Sequence, residues 1–149
     1  MRAVVQRVSR AKVTVGDDVT GEIGPGLLVL LGVTHNDGAA DADYLVDKIV
    51  NLRVFDDAFG KMNLSLAETG GEMLVVSQFT LYGDTRRGRR PSFIEAARGE
   101  EALRWYEHFI NRVSETIGRV ATGSFGAMMD VELVNDGPVT IILDSEKTI

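Results

Sequence analysis

"ELVNDGPVTIIL", residues 132–143, is the stretch on which the fold turns. Val, Ile and Leu on both flanks favour a sheet, yet Pro138 has no N–H to give to a sheet ladder. Asn135-Asp136-Gly137 favour a turn, so the stretch reads as two strand segments joined as a hairpin that ends in Gly-Pro. Just upstream, Met129, Val131 and Leu133 alternate with Asp130 and Glu132, the period of a half-buried strand. Strands joined by hairpins run antiparallel, and that sets the expectation for the rest of the chain.

The N-terminal part offers three strand-like segments, roughly 2–8, 11–15 and 19–23, with Gly16-Asp17-Asp18 marking a turn. "LLVLLGV" at 27–33 has no polar alternation and predicts a strand buried on both faces. "MLVVSQF" at 73–79 is a second buried strand. Over 39–54, Ala42, Leu45, Val46 and Ile49 recur at helical spacing, with acidic residues near the start. Over 100–117, Leu103, Tyr106, Phe109, Ile110, Val113 and Ile117 form one apolar stripe, and Gly118 suits a C-terminal cap. The expected fold is α+β. Mostly antiparallel sheets form a partly rolled, barrel-like core with two main helices packed against it, in a single domain over 1–149. Neither a repeated βαβ rhythm nor a GxGxxG or GxxxxGKS loop supports a nucleotide-binding fold.

A chain that is 44% hydrophobic and 26% charged has the balance of an ordinary globular protein. Without cysteine it can offer no disulfide framework, thiolate nucleophile or zinc-thiolate site. The opening "MRAVVQRVSRAKV" is not a signal peptide, and the longest apolar run is too short to span a bilayer, so the expectation is a cytoplasmic protein without membrane contact. A net charge of −6 argues against nonspecific nucleic-acid binding over the whole surface. "RRGRR" at 86–90 is the exception. Arg86, Arg87, Arg89 and Arg90 put four of the 16 basic residues into five positions, which reads either as a local anion site or as a solvated loop.

Most familiar catalytic groupings are missing. His35 and His108 lie in unrelated contexts and read as structural or surface residues, and Asp56-Asp57 reads as a solvated turn. No metal and no cofactor is expected. "VSQFTLYGDTRRGRRPSF", 76–93, is the richest stretch, because a buried strand runs straight into Ser77, Gln78, Phe79 and Thr80. Buried hydroxyl and amide groups are costly unless they are paired or used, so these side chains either cap the strand end or line a site. Thr80 is a poor nucleophile without a base, and none lies close in sequence. A hydrolytic site here would rely on positioning and on backbone N–H groups around Gln78 to Thr80, acting on an already labile ester.

"SQFTLYGD", the arginine loop with "RPSF", "FGAMM" and "NDGPVT" together resemble the D-aminoacyl-tRNA deacylases, and the likeness extends to the "MRAVVQRVSRAKVTV" opening. The resemblance implies hydrolysis of the ester that joins a D-amino acid to the 3′-terminal adenosine of tRNA. It also implies a homodimer in which a cis Gly137-Pro138 peptide projects into the partner's active site. There its carbonyls exclude L side chains, while D-residues and glycine pass. By the same resemblance Ser77, Gln78, Phe79 and Thr80 line the pocket, Met129 lies near the terminal adenosine, and Arg86, Arg87, Arg89 and Arg90 contact tRNA. Thr80 as nucleophile and Thr80 as positioning group both stay open. DNA is not an expected partner. The competing reading is a module that binds RNA ends without turnover, since a related fold is appended to some threonyl-tRNA synthetases.

Overall fold

A computed structural model describes residues 1–149. Strands β1 (Arg2–Val15), β2 (Asp18–Ile23) and β3 (Gly26–Gly32) are followed by helix α1 (Ala39–Val50) and a small hairpin of β4 (Phe55–Asp56) with β5 (Met62–Leu64). Then come the short helix α2 (Leu66–Thr69), strand β6 (Glu72–Ser77), the long helix α3 (Gly99–Ile117), and strands β7 (Ala121–Thr122) and β8 (Asp130–Asp144).

The segments expected separately at 2–8 and 11–15 are one strand. β1 bends where its register slips between Gln6 and Arg10, and the bend lets one strand serve three partners. Its first half pairs with β3, its second half with β2, and β8 runs antiparallel along nearly all of it. The hairpin expected at 132–143 does not form. Residues on both sides of Pro138 pair with the same strand, Val131–Asn135 against Val13–Val8 and Thr140–Asp144 against Gln6–Arg2. Asp136 to Val139 bulge out between Gln6 and Val8, and the Gly137-Pro138 peptide in that bulge is cis. The Asn135 side chain replaces the lost ladder: its Oδ1 accepts from the Val139 N–H at 2.8 Å and its amide donates to Thr140 Oγ1 at 3.0 Å. Pro138 thus sits where a ladder donor is not required. The turn chemistry was real, but long-range pairing with β1 overrode the hairpin.

In the main sheet β1–β2, β1–β3 and β1–β8 are antiparallel, while β3–β6 and β6–β7 are parallel, so it is mixed with a narrow antiparallel majority. Its order is β2-β1-β3-β6-β7. At Gly21 of β2 an added Cβ would stand 2.3 Å from the Thr122 carbonyl of β7, so the two edges meet and the sheet nearly closes.

β3 and β6 bury both faces, as their unbroken apolar runs predict. Leu27, Val29, Leu31, Met73 and Val75 face α1 and α3, joining Leu45, Ile49, Phe109 and Val113 in the larger core. Leu28, Leu74 and Val76 point the other way and meet Val8, Val13 and Ile23 inside the roll. α1 stops at Val50 rather than near 54, because Asn51 caps it and turns its amide back to the Asp47 carbonyl at 2.9 Å. α3 ends at Gly118 in the left-handed conformation, whose N–H bonds the Ser114 carbonyl. The Tyr106 hydroxyl donates to the Val75 carbonyl at 3.1 Å and pins α3 onto β6; burial pushes its pKa up to about 12. No helix is long and apolar enough to cross a membrane.

Candidate active site

β6 delivers the "SQFT" segment to the mouth of a cavity of about 390 Å³. The Gln78 N–H finishes the β3–β6 ladder on the Leu31 carbonyl at 2.7 Å, and the chain then turns into a single 3-10 coil over Phe79–Tyr82. The first hydrogen bond of that coil runs from Leu81 N–H to the Gln78 carbonyl. The N–H groups of Phe79 and Thr80 stand ahead of it, without partners inside the coil. Ser77, Gln78 and Phe79 line the cavity; the exposed Thr80 side chain does not. Apolar walls come from Val76, Ala97, Ala102, Phe125 and Val131.

The Gln78 side-chain amide donates to Thr80 Oγ1. An amide N–H cannot take a proton, so this contact occupies a lone pair of the hydroxyl without activating it. Neither histidine supplies a base. His35 Nε2 lies 2.8 Å from the Ile94 carbonyl, and His108 Nε2 lies 2.9 Å from Asp43, both away from the cavity. Asp57 holds the β4–β5 turn by accepting from the Phe59 and Lys61 N–H groups and from the Asn63 amide.

Met129 reaches the cavity, but its sulfur also accepts from the Ser124 N–H at 3.4 Å, and an added Cβ on Gly123 would lie 2.8 Å from it. It is both a wall and a packing residue. Sequence reasoning missed Arg98, which lines the cavity with its guanidinium 5.2 Å above the Phe79 ring. Placed just before α3, it reads in the sequence as nothing more than a helix boundary.

The arginine loop divides into two kinds of side chain. Arg86 is clamped by Asp84, with Nε at 2.9 Å and Nη2 at 2.7 Å from its carboxylate, and its own N–H bonds the same group. These bonds hold the Asp84 carboxyl down at about 2. Arg87, Arg89 and Arg90 are exposed and enter none of the chain's ion pairs. None of the four lines the cavity.

Gly137 and Pro138 are also absent from the cavity of their own chain; both are exposed. Their bulge is held from below by Arg7, which is only 9% exposed. Its Nε donates to the Asp136 carbonyl at 2.9 Å and its Nη1 to the Val54 carbonyl at 2.7 Å. A Cβ on Gly137, whose φ is +141°, would meet the Val139 nitrogen at 2.9 Å and Arg7 Nη2 at 3.2 Å. Arg7 was legible in principle. It shares the inward parity of Ala3 and Val5, where a charge in an apolar row needs an explanation.

A pocket that offers backbone donors and no side-chain base suits a hydrolase of activated esters, and comparison with known proteins specifies the family. A family profile described as D-Tyr-tRNA(Tyr) deacylase matches residues 4–144. The chain is 62% identical over 148 residues to a D-aminoacyl-tRNA deacylase of Clostridioides difficile (strain 630), covering 99% of both chains. It is 58% identical to that of Bacillus velezensis (strain DSM 23117 / BGSC 10A6 / LMG 26770 / FZB42) over 99% of this chain and all of the other. Among solved structures, one titled c-Myc DNA Unwinding Element Binding Protein superposes with a TM-score of 0.91 at 44% identity, covering 97% of this chain and 98% of that one. A second, titled as a probable eukaryotic D-amino acid tRNA deacylase, shares the fold at a TM-score of 0.85 and 18% identity, over 96% and 98% of the two chains. The chain belongs to the D-aminoacyl-tRNA deacylase family of hydrolases.

Proposed function

We propose that this protein hydrolyses the ester of D-aminoacyl-tRNA and so removes D-amino acids from the cytoplasmic translation supply. The observation that carries the reading is the pair of Phe79 and Thr80 N–H groups, left without partners at the start of the 3-10 coil directly after Ser77 and Gln78, which with Phe79 line an apolar cavity. The terminal adenosine enters the cavity beside Met129, and the ester carbonyl faces those two donors. Water attacks the carbonyl carbon; the donors hold the negative charge that develops on the carbonyl oxygen. The bond to the ribose oxygen then breaks, and that oxygen takes the proton, releasing free amino acid and tRNA. With no side-chain base in reach, the substrate's own 2′-hydroxyl assists the water, and Thr80 positions rather than attacks.

Chirality is read by exclusion. Gly137 and Pro138 are exposed and outside their own cavity, which supports insertion into the cavity of a second copy. Their carbonyls fill the space an L side chain needs, whereas a D side chain points elsewhere and glycine presents none. Glycyl-tRNA is therefore a substrate as well. Arg87, Arg89 and Arg90 contact tRNA phosphate, and Arg86 shapes their loop.

One observation favours a second reading, in which the arginine loop serves nucleic-acid binding alone: the name of the relative with 44% identity refers to a DNA element. The two readings separate on turnover. Substoichiometric protein that releases many equivalents of free D-tyrosine from D-tyrosyl-tRNA supports the hydrolase. Saturable binding to RNA or DNA with no release of amino acid would replace it.

A further inference from the structure

We infer that Arg98 grips the phosphodiester on the 5′ side of the substrate's terminal nucleotide. The inference rests on the reading of the cavity as an adenosine site. Arg98 is the one cationic side chain among the residues lining that cavity. It is also free. Arg2, Arg7, Arg10, Arg86 and Arg112 each pair with a carboxylate, whereas Arg98 enters no ion pair in a chain carrying 22 Asp and Glu residues. Glu100 and Glu101 follow it closely, yet neither pairs with it, and Glu101 approaches His35 instead.

The guanidinium is nonetheless held in place. It lies 5.2 Å over the Phe79 ring, and that ring meets Phe93 in a T-shaped contact at a centroid distance of 5.4 Å. A cation–π contact uses the charge of the guanidinium and none of its N–H donors as hydrogen bonds, so they remain available to a phosphate, which accepts them in pairs. Phe79 also supplies one of the backbone donors at the acyl end. The cation therefore stands within a nucleotide's length of the ester.

Substrate chemistry selects the ligand. The aminoacyl group brings an α-ammonium, which a guanidinium repels, and the ribose and adenine are neutral. The phosphodiesters are the anions on this end of the substrate, and the nearest is the one on the terminal nucleotide. The structure thus divides recognition between apolar walls for the base, backbone donors for the carbonyl, and Arg98 for the phosphate.

The test is calorimetric titration of the intact protein with adenosine and with adenosine 5′-monophosphate, for wild type, Arg98→Gln and Arg98→Lys. The expected result is roughly fivefold tighter binding of the monophosphate by wild type, the upper range for an exposed charge pair. That preference shrinks with salt, is partly kept in Arg98→Lys, and vanishes in Arg98→Gln while adenosine affinity is retained. Equal wild-type affinity for the two ligands overturns the role of Arg98 and leaves the adenosine site standing. Equal loss of both ligands in Arg98→Gln also overturns it, making Arg98 a brace for Phe79. If wild type binds neither, the adenosine reading fails and takes the inference with it.

Discussion

Thr80 separates two mechanisms, and its surroundings favour one. Its hydroxyl accepts from the Gln78 amide and meets no base, while its backbone N–H, the group proposed to hold the oxyanion, does not depend on the side chain. Thr80→Ser and Thr80→Ala should therefore keep turnover, with the alanine variant slower by about tenfold at most, the worth of one neutral hydrogen bond. Single-turnover hydrolysis followed by mass spectrometry measures this, and an acyl-threonine adduct would contradict it. The Asp84–Arg86 clamp makes a second residue-scale prediction. The clamp lowers the folded carboxyl pKa from its ordinary 3.8 to about 2, so its stabilisation is fully present above the ordinary value and is lost as pH falls through about 2. A carboxyl NMR titration should place Asp84 near that value in wild type and move it up in Arg86→Gln; an unmoved titration would sink the clamp. The polar side chains of "SQFT" were legible because they end a buried strand. Arg98 was not, since the Phe79 ring beneath it lies on a distant segment of the chain and no local pattern pairs the two.

Single elements were read well where one period governs them. The double-sided burial of β3 and β6 and the stripe of α3 follow directly from the order of residues, because burial on a sheet or helix is a local pattern. β8 was misread for the opposite reason: Asn-Asp-Gly specifies a turn locally, while the partner of each flank is a strand more than a hundred residues away. β1 was split for the same cause, since a bend looks like a break until three partners fill it. Arg7 joins these two strands, bonding two carbonyls through separate nitrogens. Arg7→Lys replaces two fixed nitrogens by a single ammonium that lacks the guanidinium's planar spread, so we expect a loss of about 2 kcal/mol in denaturant unfolding. Hydrolysis of L-aminoacyl-tRNA should rise relative to D as the Gly137-Pro138 bulge loosens. Lost stability with unchanged D-over-L discrimination would break the link between Arg7 and selection.

At the scale of the molecule, the α+β class was legible, as was the family, because motifs spread along the whole chain agree. The near-closure of the sheet at Gly21 and Thr122 depends on contacts between remote edges that no local pattern encodes. Gly137 and Pro138 stand exposed outside their own cavity, which supports the proposal that a second copy completes the site. Sedimentation should therefore report a dimer; a strict monomer with full D-selectivity would contradict cross-subunit insertion. The central claim is that one pocket hydrolyses the ester and rejects L side chains without help from a metal. The most direct measurement sets D-tyrosyl-tRNA beside L-tyrosyl-tRNA with trace protein and excess chelator. The account predicts rapid loss of the D ester and persistence of the L ester, whereas equal loss of both, or loss of neither, would contradict it.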